Sequence, residues 1–186
     1  NALTTNLTAF FREPHHFPIL TDHARTRANL SVWCSASSTG EEPYSIAITL
    51  CEAYGTLTPP VSITATDIDT DVLDIAAQGI YPAERVRSLP SEQLRKYFLK
   101  GKGSQDGQVR IRPELRKLID FRQLNLLGQD WSLKPSISSA TVALGRFEHV
   151  NWTASPISPV PDVKCTGVPA VPAQPAEPKV RSWPGV

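Results

Sequence analysis

The sequence predicts an α/β fold, a parallel sheet covered by helices, and three observations carry that prediction. The apolar run Leu30–Cys34 leads into the small-residue turn Ser37-Ser38-Thr39-Gly40 and leaves through the amphipathic run Glu41–Tyr54, which reads as strand, tight turn and helix. A second run rich in β-branched residues, 62–66, ends at an acid, Asp67. A further amphipathic segment then opens at Asp69 or Thr70, so the order is β-α-β-α and the strands should pair in parallel.

The remaining elements follow from the same signals. Residues 5–11 read as a short helix, and a second helix follows Pro14 to about Arg27. Gly55 suits the C-terminal stop of the helix that begins at Glu41, and Pro59-Pro60 mark the connection to the second strand. In the next helix Val72, Leu73, Ile75 and Ala76 form the inner face, Asp69 or Thr70 the cap and Gly79 the end. Pro90-Ser91 opens another helix carrying Leu94, Tyr97 and Phe98 as apolar residues. Gly101, Gly103 and Gly107 break the chain, and Val109-Arg110-Ile111-Arg112 then alternates apolar and basic as a half-exposed strand does. Residues 119–127 can supply one more strand.

Two regimes divide the chain. Residues 1–134 read as a partial α/β domain. Residues 135–186 hold nine of the 17 prolines, set among short runs of small residues such as Val168-Pro169-Ala170-Val171-Pro172-Ala173. Few long apolar groups are left there to offset ordering entropy, so a disordered tail is expected.

Bulk properties exclude several functions. The 186 residues suffice for one core, and a net charge of +1 makes no electrostatic case for nucleic acid or an acidic membrane as the main partner. No apolar run approaches the roughly 20 residues of a membrane helix. Asn1-Ala2-Leu3 opens without Met and without a basic-then-apolar leader, which suggests a fragment. Cys34, Cys51 and Cys165 form no metal or redox motif and fit reduced thiols in a cytoplasm.

The Gly40 turn and Asp67 carry the chemistry. A helix N-terminus presents free N–H groups to a polar ligand. The turn lacks a full Gly-x-Gly-x-x-Gly and lacks Gly-Lys-Ser/Thr, so neither a standard dinucleotide fingerprint nor a phosphate loop is present. Glu41 and Glu42 suit the helix dipole by themselves, and carboxylates here would repel phosphate. A cation or a neutral, hydroxyl-rich group is the better ligand. Glu42 and Asp67 lie 25 residues apart, one βαβ unit, and an acid at the end of the second strand suits ribose hydroxyls. The run Asp67-Ile68-Asp69-Thr70-Asp71 is not a calcium loop, because Val72 stands where such a loop needs Gly and Gln78 where it needs Glu. His15-His16 has no metal-spaced partners, and by charge alone Arg12 is a solvated cation.

Several of these segments together resemble a known family. Thr5-Asn6-Leu7-Thr8-Ala9-Phe10-Phe11-Arg12-Glu13, His15-His16-Phe17, Ser38-Thr39-Gly40-Glu41-Glu42-Pro43-Tyr44-Ser45, Asp67-Ile68-Asp69 and Asn125-Leu126-Leu127 resemble, in order and spacing, the CheR chemotaxis receptor methyltransferases over residues 1–134. The resemblance implies a Rossmann-like S-adenosylmethionine-dependent sheet and a protein-glutamate O-methyltransferase whose partner is a methyl-accepting receptor. It implies that Asn6, Thr8, Arg12, Glu42, Asp67, Asn125 and Leu126 contact or adjoin S-adenosyl-L-methionine. Arg12 would orient the substrate glutamate, Asp67 hold the ribose and Glu42 lie near the cofactor's charged methionine end. It also implies that residues 101–122 form a small antiparallel β-subdomain able to dock a receptor's C-terminal peptide. No metal is implied.

The chain departs from that family at both ends. Family members begin with a further helical domain, and after Pro135 they continue with a strand of the type Phe-Asp-x-Ile-x-Cys-Arg-Asn-Val, where this chain reads Ser136-Ile137-Ser138-Ser139. Codons TTC-GAT-ATC-ATC shifted by one base and followed by T encode Ser-Ile-Ser-Ser, so a frameshift near codon 135 is the hypothesis. A sheet lacking that strand would have an uncovered edge, and impaired folding and cofactor binding are expected. The alternatives are a non-catalytic module that docks receptor tails and, with less support from the single-glycine turn, a nicotinamide-dependent dehydrogenase fragment. Resequencing the underlying DNA should reveal a downstream frame encoding Cys-Arg-Asn-Val; its absence would rule the frameshift out.

Overall fold

The chain divides into two units, Asn1–Ala154 and Ser155–Val186. The computed structural model describes residues 8–126 and the backbone of residues 140–144, all within the first unit. The main sheet has four strands: β1 (Leu30–Cys34), β2 (Val61–Asp67), β6 (Ile119–Gln123) and β7 (Ala140–Leu144). Their order is β6-β2-β1-β7, and every neighbouring pair is parallel. The direction of strand progression reverses between β1 and its flanks, which opens a crevice beyond the carboxyl ends of the strands.

Helix α1 (His16–Arg25) and helix α2 (Glu41–Tyr54) pack together, and α2 is the central helix of the fold. All of its residues from Pro43 to Cys51 are buried, which explains a run with so weak a polar face. Ile46, Ile48 and Leu50 are fully enclosed and belong to the same core cluster as Val32 and Ile63 of the sheet, where truncation of one such side chain costs about 2–5 kcal/mol. Gly55 ends α2 in the left-handed conformation. Helix α3 (Thr70–Gln78) is capped by Asp69, whose side chain accepts a hydrogen bond from the Asp71 N–H, and stops at the left-handed Gly79. Val72, Leu73 and Ala76 face inward, but Ile75, expected on that face, is 44% exposed.

A second, antiparallel sheet of order β3-β5-β4 comprises β3 (Ile80–Pro82), β4 (Phe98–Lys100) and β5 (Gln108–Ile111). Helix α4 (Ser91–Tyr97) precedes β4, and the short α5 (Pro113–Arg116) follows β5. The small β-subdomain therefore starts earlier than the expected residues 101–122, and residues 119–122 belong to the main sheet instead. Glycines and short strands hid β3 and β4, since three residues carry no readable alternation. Val109 pairs with Tyr81 on one side and Lys100 on the other, so β5 is the central strand of this sheet.

Two further expectations change. Thr8, Ala9 and Phe10 are not helical, and Phe11 takes a positive φ of 54° that breaks any helix there. Asn6 and the other residues before Thr8 lie outside the described residues. The tail was expected to be disordered from 135 onward, yet β7 pairs along its whole length with β1, from Leu30↔Ala140 to Cys34↔Leu144. Small and β-branched residues (Ala140-Thr141-Val142-Ala143-Leu144) suit a buried parallel strand even among prolines and glycines. The rest of the tail lies outside the described residues.

Consecutive strand N–H groups point to opposite sides, so replacing both Thr141 and Val142 by Pro must remove one ladder donor to β1. The urea midpoint should fall, by an amount corresponding to about 3 kcal/mol. An unchanged midpoint would mean that β7 contributes nothing to the sheet.

Candidate functional site

The three strands β1, β2 and β6 deliver their last residues to one edge of the main sheet. From β1 the chain turns through Ser35 to Gly40 and enters α2. Ser37 N–H donates to the Thr66 carbonyl (2.9 Å), and Gly40 N–H donates to the Ser37 carbonyl (2.9 Å), so the turn is stitched to the end of β2 and to itself. Asp67 completes the stitching. Its Oδ2 accepts from the Ser38 N–H at 2.8 Å and its Oδ1 from the Asp69 N–H at 3.1 Å. Each carboxylate oxygen retains a further acceptor site. On the other side of β2, the Leu124 N–H donates to the Asp67 carbonyl (2.9 Å), which brings Asn125 and Leu126 to the same edge.

Gly40 is required by geometry. Its φ is +96°, and a Cβ built there would lie 2.8 Å from the Ala76 Cβ and 2.9 Å from the Tyr81 hydroxyl. Tyr81 is buried, and its hydroxyl donates to the Thr39 carbonyl at 2.7 Å. Burial in this apolar setting, with Tyr44 and Glu41 nearby, pushes the Tyr81 hydroxyl far above its ordinary value and keeps it a donor at any physiological pH.

The two neighbouring acids of α2 have different fates. Glu41 is fully buried: its Oε1 accepts from Arg85 at 2.7 Å and its Oε2 from the Thr39 hydroxyl at 2.6 Å. Arg85, in the 3₁₀ segment Ala83–Val86 after β3, is half-exposed and reaches in from the small-sheet side. Glu41 is thus a structural acid of the turn. Glu42 is only partly buried, and burial raises its carboxyl above the ordinary range; a hydrogen bond with Cys34 and the charge of Arg12 act in the opposite direction. Cys34 is a fully enclosed thiol at the end of β1, pushed well up by burial and by Glu42, and Cys51 is likewise buried; both are inert hydrophobes as expected.

Of the sequence-predicted residues, Glu42, Asp67, Asn125 and Leu126 gather at this edge through their elements. Thr8 is partly buried, and Arg12 is exposed, one residue beyond the kink at Phe11. Asn6 lies outside the described residues. Sequence reasoning missed Arg85 and Tyr81, which reach the turn from far along the chain, and Ser45 of α2, whose hydroxyl accepts from the distant Phe11 N–H; lone Arg, Tyr and Ser residues carry no local signal. A cavity of about 400 Å³ also exists, but it lies against α1 and α2 among Phe11, Phe17, Asp22, Ile48 and Glu52, away from the Gly40 turn.

Residues 6–138 match the family model described as CheR methyltransferase, SAM binding domain. The chain belongs to the CheR methyltransferase family. It is 58% identical over 137 residues to chemotaxis protein methyltransferase 2 of Pseudomonas aeruginosa, covering 72% of this chain and 49% of that one. Over 134 residues it is 57% identical to the chemotaxis protein methyltransferase of Klebsiella aerogenes and 52% identical to that of Escherichia coli, with 72% of this chain covered and 46% and 47% of the relatives. The chain thus spans about half the length of the curated relatives it matches.

The matched domain makes S-adenosyl-L-methionine the cofactor. The residues at the sheet edge fit it. The hydroxyls of Ser37 and Ser38 are buried there without a hydrogen-bond partner, which leaves two polar groups at the turn for a ligand to satisfy. Glu42 and Asp67 supply carboxylates, suited to a sulfonium and to ribose hydroxyls and unsuited to phosphate. Among the described residues no helix is long and apolar enough to cross a membrane, and no cluster could hold a metal ion.

Glu42 links burial, pH and stability. Its folded-state pKa is raised, so its contribution to folding is fully present below the unfolded carboxylate value and is lost as pH rises through the folded one. Glu42→Gln should therefore raise the thermal midpoint at pH 7 and change it little at pH 4, while weakening cofactor binding. A midpoint lowered at pH 7 would contradict the burial of that charge.

Proposed function

We propose that this chain is the cofactor-binding part of a protein-glutamate O-methyltransferase that forms methyl esters on a chemotaxis receptor in the cytoplasm. One observation carries the reading: Glu42, Asp67 and residues 124–126 meet at the carboxyl edge of a parallel sheet, beside a turn with two unpartnered buried hydroxyls. The roles proposed for individual residues start from what the family resemblance implies and are compatible with that arrangement. Asp67 accepts from the ribose hydroxyls with the capacity left after its two backbone bonds. Glu42 balances the cofactor's cationic end, and Asn125 and Leu126 border the base. Thr8 and Asn6 are assigned to the cofactor by the family resemblance alone.

The cofactor supplies an electrophilic methyl group on a sulfonium. A glutamate carboxylate has a reference pKa of about 4.3 and is already ionised at pH 7, so the protein need supply no general base. The task left to these residues is positioning and exclusion of water, with the Arg12 guanidinium orienting the substrate carboxylate. The charge pattern favours an acidic partner for the small sheet: residues 80–117 hold ten basic and four acidic side chains in a chain of net charge +1. Docking of an acidic receptor tail on that sheet fits this pattern and is compatible with the catalytic role.

The expected loss of folding and binding rested on a missing strand and on the helices that would follow it. Strand β7 pairs with β1, and the residues after β7 lie outside the described residues, so binding is a matter for direct measurement. Calorimetric titration of the 186-residue chain with S-adenosylhomocysteine should give one site per chain. Asp67→Ala should weaken it at least about tenfold, the cost of losing hydrogen bonds to a charged acceptor. Undetectable binding by the unmodified chain would refute the reading.

A further inference from the structure

We infer that Ser45 is a positioning residue for Arg12, acting through the strained backbone of Phe11. The inference rests on the function proposed above and adds a residue to that site.

Phe11 has a φ of 54°. A bulky residue rarely adopts this conformation, and it persists only where surrounding contacts impose it. Three contacts impose it here. The Phe11 N–H donates to the Ser45 hydroxyl oxygen at 3.0 Å, and that hydroxyl donates to the Glu41 carbonyl at 2.7 Å, so its one donor and one of its acceptor sites are engaged and it cannot rotate freely. Ser45 is fully buried. On one side of the kink the Phe10 ring sits edge-on to Tyr81 (5.2 Å between centroids) and to Phe98 (5.6 Å). On the other side the Phe11 ring packs edge-on to Phe17 at 4.8 Å.

The result is a sharp bend pinned at its apex. Phe10 turns into the core and Arg12 turns out. Ser45 and Glu42 stand three residues apart on α2 and so share one helix face. Anchoring Phe11 to Ser45 therefore sets the next residue, Arg12, beside Glu42, and the charge of Arg12 indeed acts on the Glu42 carboxyl. A bend without strain would not need such an anchor. The strain places a single guanidinium at the mouth of the pocket rather than leaving it on a free helix, and this is the reason for a hydroxyl at position 45.

Two measurements test this. Ser45→Ala is nearly isosteric and should fold. In it, amide hydrogen exchange at Phe11 should accelerate by about fivefold or more, the equivalent of one lost hydrogen bond. Affinity for S-adenosylhomocysteine should fall by a similar factor in Ser45→Ala and in Arg12→Ala, while the double variant should be no weaker than Arg12→Ala alone. Ser45→Thr, which keeps the hydroxyl, should bind better than Ser45→Ala. Unchanged exchange at Phe11 overturns the inference, as do additive losses in the double variant, since a merely structural serine would act independently of Arg12. If the unmodified chain binds no S-adenosylhomocysteine, the function proposed above fails, and the exchange rate at Phe11 still decides whether Ser45 holds the bend.

Discussion

The carboxylate of Asp67 ties this site together. It ends β2, accepts the Ser38 N–H across from β1 with one oxygen and the Asp69 N–H with the other, and its carbonyl receives Leu124 from β6. Three strand ends are thereby locked to one residue. Without the Asp67 bond the buried Ser38 of the turn after β1, at a φ of +46°, would lose the partner of its own N–H, and only the bonds of Ser37 and Gly40 would hold the turn. In the function proposed above, the residue that would meet the ribose is the same one that shapes the turn, so ligand recognition and local folding would share one group.

The opposite side of the turn is held by different means. Tyr81 and Arg85 reach Thr39 and Glu41 from the segment that begins the small antiparallel sheet. Glu41 spends its charge inside the protein, and only Glu42 is left for a ligand. Adjacent acids with identical local propensity are separated by about 100° of helix rotation, and that rotation alone sends one to Arg85 and the other toward Cys34 and Arg12. With Glu41 buried and Arg85 half-exposed, removing Arg85 would leave a buried carboxylate short of its charged partner, so the pair fixes geometry more than it adds net stability.

Much of the main sheet was legible in the sequence. Strand, small turn, helix and strand-ending acid each carry a local signal, and the helix Glu41–Tyr54, the cap at Asp69 and the parallel order all appear as read. The illegible parts have physical reasons. Three-residue strands such as β3 and β4 have no periodicity to detect. The bend at Phe11 depends on Ser45, a contact 34 residues away. Strand β7 is set by pairing with β1 within a proline-rich stretch whose composition argued against any strand. In the site, Glu42 and Asp67 stood out by their spacing of one βαβ unit and by the strand-ending position of Asp67, whereas Arg85, Tyr81 and the Ser45–Phe11 bond depend on contacts between distant parts of the chain.

The family and cofactor follow from similarity, and the proposed pocket is where the Gly40 turn, Asp67 and residues 124–126 meet, at the carboxyl edge of β1, β2 and β6. Backbone amide chemical shifts recorded during titration with S-adenosylhomocysteine test that meeting most directly. The largest changes should cluster at residues 37–42, 67–69 and 124–126. Changes centred instead on the cavity near Phe17 and Glu52, or no changes at all, would contradict it.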